Sequence, residues 1–211
     1  MMKKKVVYCS GPLFSPEDLE AMSQIATALE GSGYQTFLPQ RDGLEALVMN
    51  SVDSHLVNSF FMRPLKTMVS RAVFSFDIHQ IVGRCNSFVF NMNGRVCDEG
   101  GVVETAAAFA SGKPIVLYRN DLCSPRPGSG GLLLIGASHA FSLVNEVGEI
   151  PVALRRLEQK ADTHGESVRS TVCLPARVRR TLQIGRIVGN IVSAFRLLRP
   201  TNKLLKNEGR G

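Results

Sequence analysis

The stretch "NSFVFNMN" (86–93) constrains the fold more than any other. Its apolar residues run on with little polar alternation. Strands of that kind are covered on both faces, as in parallel sheets flanked by helices. The rest of the chain supplies the other parts. "KKVVYCSGPLF" (4–14) is a short apolar strand that closes at Ser10-Gly11-Pro12, a tight turn. "SPEDLEAMSQIATALEGSGY" follows as a helix, with Ser15 as N-cap, Pro16 at the first helical position and Asp18 at the capping-box position. Leu19, Met22, Ile25, Ala26 and Leu29 recur at helical spacing, and Gly31 or Gly33 ends the run.

"YQTFLP" (34–39) reads as the second strand. Residues 44–75 read as helical pieces interrupted near Pro64, and 71–85 as a helix that carries Asp77. "GGVVETAAAFASG" (100–112) is an Ala-rich helix ended by Gly112, and "KPIVLYRND" (113–121) is the next strand. "SPRPGSGG" (124–131) reads as a loop, and 139–160 as a short strand and then a helix. Strands that alternate with helices through short loops predict an α/β parallel sheet, doubly wound, with helices on both faces. Ligands of such sheets bind outside the carboxyl ends of the strands.

Composition narrows the function. Of 211 residues, 44% are hydrophobic and 20% charged, which fits a folded domain. No apolar run is long enough to span a membrane, and the apolar stretch behind Met1–Lys5 is too short for a signal peptide. Five cysteines with no C-x-x-C pair disfavour a disulfide framework, and the four histidines lack ligand spacing. A cytoplasmic protein without metal or other cofactor is the expectation. The net charge of +7 is uneven: residues 1–150 carry a net −2 and residues 151–211 a net +9. The main domain therefore needs no polyanionic partner.

The stretch "NGRVCDEGGVVETAAAFASGKPIVLYRND" (93–121) sets Asp98 and Glu99 before two glycines and then places Glu104 among apolar residues. Asp98 and Glu99 also suit ordinary helix capping. Glu104, in the first turn or so of the helix, would be favoured by the positive helix end. An ionised carboxylate held in a poorly hydrated place can act as a nucleophile. Gly100 lets the backbone approach a small ligand. Cys97, beside Asp98, has no histidine near it in sequence for a thiol mechanism.

Together "VVYCSGPLFS", "FDIHQI" and "NGRVCDEGGVVETAAAFASGKPIVLY" resemble the nucleoside 2-deoxyribosyltransferase family over roughly residues 5–160. The resemblance implies a flavodoxin-like fold and a double displacement at the anomeric carbon of a 2′-deoxynucleoside. It implies Glu104 as nucleophile, Asp77 as proton donor to the leaving base and Tyr8 as the hydroxyl that orients Glu104. It implies Asp98 as a substrate-binding acid, and Gly11, Pro12, Leu13 and Phe14 as the loop under sugar and base. Its partners would be a deoxynucleoside and a free nucleobase, with no specific nucleic acid, in a homo-oligomer that shares sites between subunits. Two inversions give net retention, as in retaining glycosidases. An acid near the base contributes typically 10²–10⁴-fold.

Two features depart from the family pattern. Gly131 and Leu132 stand where an asparagine and a proline of a neighbouring subunit's site are expected. The balance between transfer and hydrolysis is therefore open, as is purine against pyrimidine preference. An N-glycosidase acting on deoxynucleosides or their 5′-monophosphates is an alternative, as is a non-catalytic nucleotide-binding relative. The second departure is an extension. The family-like domain is expected over 1–160, a polar linker over 161–170 and a basic helical segment over 171–211. There Leu182, Ile184, Ile187, Val188, Ile191, Val192, Phe195 and Leu198 form an apolar stripe among Arg179, Arg180, Arg186, Arg196 and Arg199. Docking on its own domain or on a subunit neighbour fits this basic amphipathic helix better than contact with a membrane surface.

Overall fold

A computed structural model of the chain describes residues 4–44, 63–94, 98–120, 131–138, 143–163 and 174–198. Among the described residues the strands are β1 (Val6–Ser10), β2 (Gln35–Phe37), β3 (Ser87–Asn91), β4 (Ile115–Tyr118) and β5 (Leu143–Val144). They form one sheet in the order β2-β1-β3-β4-β5, parallel throughout. The helices are α1 (Pro16–Gly31), α2 (Pro39–Asp42), α3 (Arg63–His79), α4 (Glu99–Ala110), α5 (Gly131–Ala137), α6 (Ile150–Thr163) and α7 (Ala176–Leu198). From β1 the chain steps outward to β2 and then returns to place β3 on the other side of β1. That reversal opens a crevice at the carboxyl ends of β1 and β3, where Ser10 pairs with Phe90.

Side chains alternate along a strand, so β1 serves two cores. Val7 and Cys9 join α1 (Met22, Ile25, Leu29) and α6 (Ile150, Leu154) on one face. Tyr8 joins Phe88, Phe90, Ile115 and Leu117 on the other, beneath Phe76 of α3 and Ala108 of α4. Both layers of the doubly wound fold are therefore present. Burial pushes the Cys9 thiol well up, and raises that of Cys85 to about 12, so both are packing residues rather than reactive thiols.

Local chemistry explains the element ends. Ser15 and Asp18 form the reciprocal capping box of α1. Gly33 (φ 95°) and Gly112 (φ 67°) take the left-handed conformations that follow α1 and α4. The helix expected over 71–85 is α3 followed by a π-helical turn, Gln80–Arg84. Pro64 stands in the first turn of α3, which begins at Arg63. Residues 45–62, which share the expectation of helical pieces, lie outside the described residues. α5 begins at the end of the glycine-rich stretch read as a loop. Leu134 and Ile135 pack on the second core, and that contact is absent from any local turn signal. α6 continues through Thr163, three residues into the stretch read as a linker.

At the amino end of the sheet, buried Glu158 of α6 accepts hydrogen bonds from Lys5 Nζ (3.1 Å), Tyr34 Oη (3.3 Å) and Ser87 Oγ. It ties α6 to the entries of β1 and β3. Burial, and then the Glu158 charge, raise the Tyr34 hydroxyl to about 12.

α7 packs along α3. A Cβ on Gly185 would stand 1.9 Å from the Ser75 carbonyl oxygen, and one on Gly189 would stand 3.1 Å from the Phe76 ring. These two glycines, one turn apart, let the helices approach closely. Val188 and Val192 face inward with them, whereas Ile184, Ile187 and Ile191 are exposed. The apolar stripe read from the sequence is thus split between the core side and solvent. In an open helix Gly→Ala stabilises by up to about 1 kcal/mol. At Gly185 the backbone clash reverses the sign. Gly185→Ala is expected to destabilise by about 1–3 kcal/mol. Thermal denaturation should show a drop of about 2–4 °C per kcal/mol.

Candidate active site

The side-chain alternation of β1 sends Tyr8 and Ser10 to the same face, two residues apart. Both hydroxyls meet Glu104 of α4. Tyr8 Oη donates to Oε1 at 2.7 Å and Ser10 Oγ donates to Oε2 at 2.6 Å. Both donors are essentially fully buried. The Tyr8 ring stacks between Phe37 and Phe88, with centroids 5.2 and 5.6 Å away, so its hydroxyl has a fixed direction. A hydrogen bond to a charged group contributes about 1.5–3 kcal/mol. Two such bonds orient the carboxylate and favour its ionised form.

The acidic loop ends by starting α4. Asp98 is the N-cap, and its Oδ1 accepts from the Gly100 N–H at 3.1 Å. Glu104 is the sixth helical residue, one turn deeper than the sequence reading placed it. The helix-end field fades within the first turn, so the two hydroxyls, not the helix end, support the Glu104 charge. Gly100 and Gly101 make room for the Asp98 carboxylate. Cβ atoms there would lie 3.2 Å from Oδ1 and 2.9 Å from Oδ2, respectively. At Gly101 an added Cβ would also come within 2.1 Å of the buried Phe90 ring, so α4 rests directly on β3.

The other expected residues fall at the carboxyl edge or on the neighbouring helix. Gly11 is wedged against Met22 and Asn91, where a Cβ would be 2.8 Å from the Asn91 Cβ. Pro12 is buried, and Leu13 packs partly on the α1 side. Phe14 is 75% exposed at the mouth of the crevice. Asp77 is buried (5% exposed) on α3, beside Phe76, which meets Phe37 edge-on at 5.9 Å. Tyr8, Ser10 and Glu104 are joined by hydrogen bonds. Asp98 caps α4, the helix that carries Glu104, and Asp77 lies on α3, a separate helix. Cys97 lies outside the described residues, as does the side chain of Leu132, and Gly131 opens α5.

One residue bonded to Glu104 escaped the sequence reading, and Gln40 stands out by its burial alone. Ser10 was read as a residue of the first loop and not as a partner of Glu104, although its two-residue spacing from Tyr8 was visible. Gln40, on α2 just beyond β2, has both side-chain amide atoms buried with no hydrogen-bond partner among the described residues. An unsatisfied buried amide costs about 1–3 kcal/mol and calls for a reason. Asn93 and Asn120, past the ends of β3 and β4, bond each other twice at 2.9 Å and brace the rim. Among the described residues no cluster of three His, Cys, Asp or Glu side chains could hold a metal ion.

Residues 7–128 match the nucleoside 2-deoxyribosyltransferase family. The chain belongs to this family. Two solved structures are similar to this family member. One is the 2-deoxyribosyltransferase of the psychrotolerant bacterium Bacillus psychrosaccharolyticus, at 19% identity over 69% of this chain and 90% of that one, with a TM-score of 0.45. The other is a conserved protein from Enterococcus faecalis V583, at 17% identity over 75% of this chain and 99% of that one, with a TM-score of 0.45. No curated protein matches. The matched segment of this deoxyribosyltransferase-family chain holds Tyr8, Ser10, Gln40, Asp77, Asp98 and Glu104, and ends before α5, α6 and α7.

The contact at Gly101 carries a prediction for this family member. Gly101→Ala should push α4 off Phe90 and destabilise the protein by about 1–3 kcal/mol, as overpacking of a close-packed core does. Thermal melting should show the loss. An unchanged melting temperature would mean that α4 does not rest on β3 as described.

Proposed function

We propose that the protein moves 2-deoxyribosyl groups between nucleobases through a covalent ester on Glu104. The observation that carries this reading is the Glu104 carboxylate, held by Tyr8 and Ser10 at the crevice of a family-matched sheet. One carboxylate oxygen attacks the anomeric carbon of a 2′-deoxynucleoside. The C–N bond breaks, and its electron pair leaves with the base. Asp77 supplies the proton to the departing nitrogen. The sugar remains as a glutamyl ester. An incoming base then attacks the same carbon, the ester bond breaks, and the Glu104 carboxylate is restored. Its surplus proton returns to Asp77. Asp98 binds a sugar hydroxyl, and Gly11 to Phe14 form the wall beneath sugar and base. Gln40 presents an amide donor and acceptor, the complement of a nucleobase edge.

Incubation with a deoxynucleoside and a second free base, followed by chromatography, tests the reading. New nucleoside is the expected product. Base release without new nucleoside would instead mark a hydrolase, with water taking the ester. No turnover in either form would mark a non-catalytic relative. Glu104→Ala should abolish turnover. Tyr8→Phe and Ser10→Ala should each slow it by about ten- to a hundredfold, the worth of one hydrogen bond to a charge.

Gln40 gives a second test with opposite signs in two measurements. Gln40→Leu removes an unsatisfied buried amide and should leave the melting temperature unchanged or higher. The same change should raise KM for the nucleoside by about tenfold, since a bond to the base edge is lost. A lower melting temperature with unchanged KM would assign Gln40 to packing.

A further inference from the structure

A second cleft lies apart from Glu104, where α7 crosses the end of α3 and its π-helical turn. Its volume is about 520 Å³, and neither Tyr8, Ser10, Asp77, Asp98 nor Glu104 lines it. This size falls within the about 300–1,000 Å³ of small-molecule sites and far exceeds what a bare inorganic anion fills. Arg84 enters from the π-helical turn and Arg186 from α7, with His79 beside them. Among the described residues neither guanidinium makes an ion pair or a hydrogen bond. Their positive field reaches His79, whose pKa is lowered first by burial and then by Arg84 and Arg186.

The single carboxylate on the lining, Asp42, is already engaged by Arg41 at 2.9 Å and by the Leu38 N–H at 3.0 Å. The cleft therefore offers an anion two guanidiniums that no described carboxylate neutralises. Arginine pairs suit phosphate because each presents a planar fork of donors. The remaining wall is mixed. Phe37, Phe76 and Val192 offer apolar surface, and Gln80, Asn190 and Ser193 offer amides and a hydroxyl. That combination fits a base and sugar attached to the phosphate.

We propose that this cleft binds a deoxynucleoside 5′-monophosphate, with Arg84 and Arg186 holding the phosphate. Arg186, Gly189 and Asn190 belong to α7, beyond the family match at 7–128. The site is thus a property of this chain's extension, and it stands whether or not Glu104 performs glycosyl transfer.

Calorimetric titration of the full chain carrying Glu104→Ala, which excludes turnover at Glu104, tests the assignment. The probes are deoxyadenosine 5′-monophosphate, deoxyadenosine and inorganic phosphate. The monophosphate should bind at least about tenfold more tightly than inorganic phosphate, because only it reaches the apolar wall. Adding Arg84→Ala or Arg186→Ala should weaken the monophosphate by about tenfold or more, and Arg186→Lys by less, since a point charge replaces a fork. Deoxyadenosine binding should not change in these variants. Both arginines are exposed, so their melting temperatures should match the parent. Four results would overturn the proposal: no monophosphate binding, monophosphate binding indifferent to both arginines, equal binding of inorganic phosphate, or one-for-one competition between monophosphate and deoxyadenosine.

Discussion

The bond pair from Tyr8 and Ser10 to Glu104 is the constraint on which the rest of the molecule turns. It joins residues 96 and 94 positions apart in the chain. Both donors come from one face of one strand, so the carboxylate must arrive from the helix layer on that face. α4 is the layer that supplies it. Its height on the sheet is set by Gly101 against Phe90, and its start by Asp98. Moving any of these shifts a carboxylate whose two oxygens are both committed to fixed donors. The aromatic stack of Phe37, Tyr8 and Phe88 exists on the same terms, since a mobile phenol would not hold one carboxylate oxygen.

Buried Glu158 shows what a purely structural carboxylate looks like here. Glu158 receives a lysine ammonium together with two hydroxyls, at the amino end of the sheet, away from the crevice. Its charge is matched by Lys5 and its bonds tie three elements together. At Glu104 two hydroxyls set the direction of the carboxylate. A carboxylate held in one direction suits the attack on carbon proposed for it. The structural carboxylate thus lies at the amino end of the sheet and the proposed nucleophile at the carboxyl end, where parallel α/β sheets generally bind ligands.

Much of this was legible in the sequence because it is local. The capping box at Ser15 and Asp18, the glycine ends at Gly33 and Gly112, and the buried strand at 87–91 are each fixed by neighbours in the chain. Tyr8 and Asp77 were reached through the family resemblance, whereas Asp98 and Glu104 already stood out in the acidic stretch before it. The place of Asp98 before a helix also suited a cap, and Asp98 is indeed a cap in the structure. Ser10 was missed because a serine beside Gly-Pro reads as a turn, and its partner lies 94 residues away. Gln40 was missed because what distinguishes it, an amide buried without a partner, is a property of packing. α5 was missed because glycine density dominated a stretch whose helix is paid in tertiary contact through Leu134 and Ile135.

The extension shows how an added helix alters a fold without disturbing its centre. α7 fits against α3 because Gly185 and Gly189 remove two side chains where backbone must meet backbone and ring. That close approach carries Arg186 to the π-helical end of α3, next to Arg84, and it leaves a cleft instead of a filled seam. Phe37 then has two environments. One side of its ring stacks on Tyr8, and the ring also forms part of the cleft wall. A residue packed between two such spaces cannot be enlarged or removed without changing both. Selection on Phe37 would therefore act on the nucleophile's support and on the arginine cleft together, even though no hydrogen bond links the two.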